Sequence, residues 1–290
     1  MKVCVTGAAG RAGRAVVMDL LAHDYDVLAT DLYMPPDDGT AMDEVDFMVA
    51  DLTDFGQAFE VLKGMDAVVH LANIPAPGLR PPAVTFNSNI TMNFNVFHSA
   101  AERGLARVVW ASSETTLGLP FDTPPRYAPI DEDHYPVPTS TYALSKVASE
   151  TIAEQIAGWS GIPFVALRFS NILGPREYAD DFPQCWDHPS RRKWNLWGYI
   201  DERDAAQACR LALVAEVTGA SSYIIAAADT VMTRPSEELM HEVYPGVPLK
   251  TPVHGTATLL SFDRARQALG FVPEHSWRDH VSPETGEASG

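Results

Sequence analysis

Positive charge is scarce in this 290-residue chain: 21 Lys and Arg stand against 38 Asp and Glu, a formal net charge of -17. A surface of that sign repels phosphate backbones and excludes nucleic acid as a partner; a small anionic ligand would need local Arg, Lys or backbone N–H groups. Cysteine is scarcer still. Cys4, Cys185 and Cys209 are scattered and form no C-x-x-C pair, so no disulfide framework is expected and the chain reads as cytoplasmic. No apolar run approaches the ~20 residues that cross a bilayer, so no membrane partner is expected. The opening MKVCVTGAAG turns to glycine too soon for a signal peptide and reads as a strand. Internal repeats and long low-complexity segments are also missing, and residues 284–290 read as a frayed acidic tail.

What remains is an ordinary globular composition, 46% hydrophobic and 20% charged, long enough for one large α/β domain with a smaller lobe. KVCVTG, DVLATD, FMVADL, AVVHLA and RVVWASS read as buried strands, followed later by FVALRFS and SYIIAAAD. Helical patterns lie between them, such as Arg14 to His23 with Val16, Val17, Leu20 and Leu21 on one stripe. NITMNFNVFHSAAERG is another, closed by Gly104. This alternation predicts an α/β fold, a Rossmann-type doubly wound parallel sheet with helices on both faces. Residues 171–197 and 231–283 lose the period, and both follow strands whose carboxyl ends form the ligand crevice in open α/β sheets. They are assigned to a small discontinuous substrate lobe, leaving 1–170 and 198–230 to the dinucleotide-binding domain.

VTGAAGRAGRAVV sets Gly7, Gly10 and Gly13 between the first strand and the first helix. Glycines there allow a tight turn, close backbone approach to a pyrophosphate and close helix–strand packing. Three glycines alone often mean only a turn. Asp31 ends the second strand 24 residues after Gly7, where a carboxylate accepts from the adenosine ribose and repels a 2′-phosphate, favouring NAD over NADP. Arg11, inside the turn, either pairs with a surface acid or helps a 2′-phosphate, which keeps NADP as the alternative.

In TSTYALSKVASE, Tyr142 and Lys146 stand one helical turn apart and share a face. Such a pair is either a solvated surface contact or a phenol tuned to move protons. GAAGRAG, Asp31, ADLTD, HLAN, ASSETTLG, YALSK and LRFSNILGP occur in one order, and that order resembles the extended short-chain dehydrogenases/reductases, the NAD-dependent epimerase/dehydratase group. The resemblance runs from Lys2 to RARQALGFVPEHSW. It implies that Asp51 and Leu52 touch the adenine, and that His70, Leu71 and Ala72 form the turn beneath the cofactor. It implies that Asn89 is a buried Asn near the active site, and that Ser113, Tyr142 and Lys146 are catalytic. Asn171 matches a position that approaches substrate phosphates in nucleotide-sugar enzymes. His70 itself reads as structural rather than as a base, and His188, with only Cys185 and Asp187 near it, makes no metal site.

Hydride transfer at a carbinol carbon needs a proton to leave or join its oxygen. A neighbouring ammonium and a positively charged nicotinamide are expected to lower the Tyr142 pKa from its ordinary value near 10. Lys146 would also hold the cofactor ribose, and Ser113 would donate to the substrate oxygen. Dehydratases of the family follow the catalytic Thr with an Asp-Glu pair; here Ser113 is followed by Glu114 and Thr115, so epimerase and dehydrogenase remain. RRKWNLWGYIDERDAAQACRLAL resembles the corresponding part of uronate dehydrogenases, with Glu114 where that subgroup has Asn. Candidate substrate contacts are Ser113, Glu114, Asn171, Arg176 and Trp197. Arg168 or Arg176 could meet an anion. Trp186, Trp194 and Trp197 either line a sugar face or fill the lobe, and Arg191, Arg192 and Lys193 either clamp an anion or form a solvated turn. The resulting expectation is an NAD-dependent oxidoreductase/epimerase for a small carbohydrate, a sugar or nucleotide-sugar, and the resemblance implies a homodimer through the helices after Asn89 and around Tyr142; the alternatives are a uronate-type free-sugar dehydrogenase and, from another class, a non-catalytic NAD(P)-sensing protein.

Overall fold

The structure, a computed structural model, describes residues 1–35, 42, 45–134 and 136–282; the expected tail over 284–290 lies outside the described residues. In chain order the elements are β1 (Lys2–Thr6), α1 (Arg11–Ala22), β2 (Asp26–Asp31), β3 (Asp46–Val49), α2 (Phe55–Val61), β4 (Ala67–His70), α3 (Pro82–Arg103) and β5 (Arg107–Ser113). They continue with α4 (Thr141–Ser160), β6 (Phe164–Phe169), β7 (Ile172–Leu173), α5 (Pro175–Asp181), α6 (Pro183–Trp186) and β8 (Ile200–Asp201). The last are α7 (Glu202–Val214), β9 (Ala220–Ile225), α8 (Ser236–Val243) and α9 (Asp263–Leu269).

Seven strands form one parallel sheet in the order β3-β2-β1-β4-β5-β6-β9, the doubly wound arrangement expected from the strand–helix alternation. The order reverses between β1 and β4. Loops leaving the carboxyl ends of such strands diverge and open a crevice, and the glycine turn after Thr6 and the segment after His70, packed against each other, form its floor.

Apolar runs such as Val3, Cys4 and Val5 are buried on both faces, as a covered parallel sheet requires. One core gathers α1, α7 and α9 residues such as Val16, Leu20, Ala208 and Ala265; the other gathers Val61, Phe97, Ile156 and their neighbours from α2, α3 and α4. Phe97 meets both Trp110 and Phe164 edge-on with centroids 5.2 Å apart, pairs worth about 0.5–1.5 kcal/mol each beyond burial. The helices start where their chemistry says: Ser140 caps α4 through the Ala143 N–H (3.1 Å), and Pro82 opens α3, earlier than the apolar stripe alone indicates. Gly104 closes α3 with φ 67°.

A third core lies beyond the crevice, built from Leu173, Tyr178, Phe182, Trp197, Tyr199, Leu239, Leu260 and Trp277 among others. It also draws in Leu117, Leu119, Phe121, Ala128 and Ile130 from the β5–α4 connection. Short helices and the β7–β8 pair, invisible as periodicity, give 171–201 its form. Among the described residues, no helix is long and apolar enough to cross a membrane.

Candidate active site

The glycine turn has no room for side chains at two of its three positions. Gly7 has φ +71°, and a Cβ there would lie 2.7 Å from the Ala72 nitrogen. A Cβ at Gly13 would lie 2.1 Å from the Gly7 carbonyl oxygen. Gly10 caps α1 with φ -75° and offers no side-chain bond, and no acidic residue sits in the first turn. The N–H groups that open α1 are therefore left for an outside acceptor, and the positive end of the helix dipole favours an anion. At the end of β2, Asp31 accepts from the Ala9 N–H (3.0 Å) and the Leu32 N–H (2.7 Å), which ties its carboxylate to the turn. These features fit a dinucleotide: a pyrophosphate on the α1 N-terminus and ribose hydroxyls on Asp31. Arg11, the first residue of α1, pairs instead with Glu177 of α5 and donates to the Ile172 carbonyl (3.4 Å).

Asp51 accepts from the Thr53 N–H and hydroxyl (2.9 and 2.7 Å). Leu52 is buried in the core, its carbonyl held by Asn95 Nδ2 at 3.0 Å. Leu71 and Ala72 both donate to Thr6 Oγ1 at 3.2 Å. Asn89, fully buried, grips the backbone of Ile74 from both sides, accepting at 2.8 Å and donating at 3.1 Å. It shapes the loop rather than presenting its amide to a ligand. His70 is locked between Thr6 Oγ1 (2.7 Å) and Asn93 Oδ1 (2.9 Å). Burial and the charge of Lys146 push its pKa down to about 3, against the Asn93 bond. It is neutral, structural and no base.

Ser113 ends β5 and Tyr142 and Lys146 lie on the first turns of α4, all three buried. Ser113 Oγ accepts from the Thr115 N–H (3.1 Å) and hydroxyl (3.0 Å). Both its lone pairs are engaged, so its own O–H is left to donate, and its bond to Tyr142 favours phenolate. Lys146 Nζ lies 5.6 Å from the Tyr142 ring centroid and donates to Asn73 Oδ1 (3.0 Å) and the Ala111 carbonyl (2.8 Å). The expected lowering of the Tyr142 pKa is not what the protein alone provides. Burial raises it to about 12, outweighing the Ser113 bond, and the charge of Glu114 adds to the rise. Lys146 cannot reverse this, because burial drops its own pKa to about 7 against the pull of Glu150. The resting pair is a protonated phenol beside a readily deprotonated amine.

The substrate side departs most from the sequence reading. Glu114 does not project freely: it accepts from Ser170 Oγ (2.6 Å) and Asn195 Nδ2 (3.2 Å). Burial lifts its pKa to about 7, opposed by those bonds, by the charge of Arg192 and by the Asn171 backbone. Trp197 is wholly buried in the lobe core and donates to the Pro189 carbonyl (2.8 Å), while Trp186 and Trp194 pack against that core. All three tryptophans build the lobe. Asn171 is half-buried, with its carbonyl accepting from the Ile200 N–H (3.1 Å), and Arg176 is exposed on α5. Arg168 holds Glu150 with bonds of 2.9 and 2.7 Å, and its Nη1 is buried without a partner.

Of the basic run 191–193, Arg192 is the buried one, 7% exposed. It lies 5.4 Å from the Phe182 ring and 5.3 Å from Trp194, and its one bond reaches the Gly198 carbonyl at 3.3 Å. Its Nε and the Oδ1 of nearby Asn195 have no partner. Sequence reasoning missed Asn73, Asn93, Ser170 and Asn195. Only Asn93 carried a signal, a second amide one turn after Asn89 in an apolar helix. Among the described residues, no three His, Cys, Asp or Glu side chains gather as a metal site.

Comparison with known proteins places the chain in a family and a fold. A model of the NAD dependent epimerase/dehydratase family matches residues 3–226. An NAD-dependent glucose-6-phosphate dehydrogenase of Haloferax volcanii is 30% identical over 61% of this chain and 71% of its own length. A UDP-glucose 4-epimerase of Corynebacterium glutamicum is 24% identical over 95% of this chain and 92% of its own. The solved structure of a mutated uronate dehydrogenase superposes with a TM-score of 0.67 at 23% identity, covering 96% of this chain and 82% of the other, a likeness of fold.

Proposed function

The chain belongs to the NAD-dependent epimerase/dehydratase family, and from that premise we propose an NAD-dependent oxidoreductase or epimerase acting at a carbinol carbon of a sugar or nucleotide-sugar. The observation that carries this reading is the meeting of Ser113, Tyr142 and Lys146 beside the glycine turn, with the Ser113 hydroxyl aimed at the phenol. Bound, the oxidised nicotinamide supplies the hydride acceptor and a positive charge that favours phenolate. The N-terminus of α1 holds the pyrophosphate, Asp31 takes the adenosine ribose and disfavours a 2′-phosphate, and Lys146 keeps an N–H for the other ribose. Ser113 orients the carbinol oxygen and Tyr142 takes its proton. Water elimination is not supported, since Thr115 Oγ1 is spent on Ser113 and Glu114 on Ser170 and Asn195.

A second reading, oxidation of a free sugar acid, is favoured by Arg192, a buried cation with one long hydrogen bond and an unpartnered Nε. A substrate carboxylate would supply the hydrogen-bonded partner that Glu114, acting on Arg192 through its charge alone, does not. Exposed Val84 and Phe94 on α3 and Leu144 and Trp159 on α4 support a homodimer.

The test is to offer uronates, neutral aldoses, sugar phosphates and UDP-sugars with NAD or NADP, following cofactor reduction and sugar configuration. Net NADH marks a dehydrogenase; a changed sugar without net NADH marks an epimerase. Tyr142→Phe is expected to cut turnover about 10²–10⁴-fold. An unimpaired Tyr142→Phe overturns the proton-transfer role of Tyr142, and a preference for NADP overturns the ribose-binding role of Asp31.

A further inference from the structure

Lys146 is 1% exposed, and its ammonium is steered by an uncharged relay that begins outside the Ser–Tyr–Lys set. Every bond in that relay has a forced direction. Ser149 Oγ donates to the Ser145 carbonyl (2.8 Å), so it accepts from Asn93 Nδ2 (2.7 Å). Asn93 therefore turns Oδ1 the other way, where it accepts from His70 Nε2 (2.9 Å) and from Asn73 Nδ2 (2.8 Å). The His70 tautomer follows: Nε2 carries the proton and Nδ1 accepts from Thr6 Oγ1 (2.7 Å). Asn73, with Nδ2 committed to Asn93, is left with only Oδ1 to face Lys146 Nζ at 3.0 Å. Thr6, His70, Asn93 and Ser149 are all at most 1% exposed, so water cannot replace a missing partner.

We propose that Asn73 is a positioning residue for Lys146: its carbonyl, aimed by Asn93 and by the neutral His70, fixes where the ammonium sits and how tightly it keeps its proton. An unpaired buried ammonium loses its proton readily, and hydrogen bonds to the charged form oppose that loss. The charged and titratable groups around Lys146 are few. Glu150 on its own helix favours the cation, His70 on β4 is neutral, and the Tyr142 phenol lies under it. From β5 it meets the neutral Ala111 carbonyl. Among the described residues, Asn73 is therefore the side-chain contact whose charge can be changed from outside α4 without touching Tyr142.

This inference rests on reading Lys146 as the partner of Tyr142, so its test does not use turnover alone. The chain has five lysines, and the ε-methylene NMR resonance of Lys146, assigned by its loss in Lys146→Arg, can be titrated in the cofactor-free protein. Asn73→Ala is expected to weaken proton binding at Lys146. Asn73→Asp, placing a carboxylate at the same acceptor, is expected to strengthen it by about tenfold or more. The pH profile of turnover should move in the same two directions. A purely structural role would move neither titration, or both the same way, and either result overturns the proposal. Should Asn73→Asp fail to fold, an unchanged Lys146 titration in Asn73→Ala overturns it by itself. If the titrations separate as expected while Lys146→Met keeps full turnover, the positioning holds and the catalytic reading of Lys146 falls.

Discussion

The two sides of the crevice are built on opposite principles. On the cofactor side, Thr6, His70, Asn93, Asn73 and Lys146 are joined by bonds at hydrogen-bond distance, and Gly7 and Gly13 are pressed against backbone. On the substrate side, Glu114 is buried at a pKa near neutrality, and Arg192 Nε and Asn195 Oδ1 are unpartnered. Unsatisfied buried polar groups are costly and survive where something else requires them. The relay on the first side is thus complete in the protein alone, while the second keeps buried polar atoms without partners.

A direct way to break the cofactor side is Gly13→Ala. The added Cβ would lie 2.1 Å from the Gly7 carbonyl oxygen and 2.7 Å from the Ala8 Cα, backbone atoms that cannot rotate away. About 3 kcal/mol of stability should be lost, the upper end for overpacking, and NAD affinity should fall with it. Denaturant unfolding and NAD titration measure both. Gly10→Ala is the control: φ is -75° and its Cβ would meet the Gly7 oxygen at 3.3 Å, so a loss under about 1 kcal/mol is expected. Equal losses at the two positions would mean that the turn is looser than its contacts.

The same contrast explains what was legible from the residues alone. Glycine spacing, an acid at a strand end and a helical i,i+4 pair are local patterns, and the backbone rules behind them act over a few residues. The order of the sheet followed from strand–helix alternation for the same reason. The surroundings of Glu114 and Trp186 escape such rules because their neighbours come from far along the chain: Glu114 meets Asn195, 81 residues away, and Trp186 donates to Val231, 45 away. Nothing in RRKWNLW says which of its cations turns inward. The Tyr142 pKa departs for another reason: the i,i+4 spacing holds, but spacing does not report burial, and burial decides the sign.

On the substrate side, Arg192→Gln should separate stability from activity. Arg192 feels the charge of Glu114 but is hydrogen-bonded to no carboxylate, so removing its cation removes more desolvation penalty than pairing and unfolding stability should hold or rise. Turnover of an acidic sugar should fall by about 10–100-fold, the size of a lost charge-assisted hydrogen bond, with neutral sugars little affected. Steady-state kinetics on matched acidic and neutral substrates decide it. A loss of stability with equal loss on both classes would make Arg192 a packing residue of the lobe and remove the case for a sugar acid.

The smallest effect expected is also the one that distinguishes the two sides by pH. Glu114 binds its proton up to about pH 7 in the folded protein, against an ordinary value of 4.5. A carboxyl whose folded pKa is raised contributes stability that is complete below about pH 4.5 and is lost as pH rises through about 7. Glu114→Gln removes that loss, so the variant should gain on the parent progressively between those values and show no pH-dependent gain below them. The same change takes away a negative charge that raises the Tyr142 pKa. Oxidation, which needs phenolate, should therefore gain its basic limb at lower pH in Glu114→Gln, by less than the ~1–3 units of a directly paired charge. Unfolding curves across pH 4–8 and the pH profile of sugar oxidation test the two consequences separately. If the stability difference stays flat through that range, Glu114 is ionised throughout, and the lobe carries a fixed charge that Arg192 must be balancing.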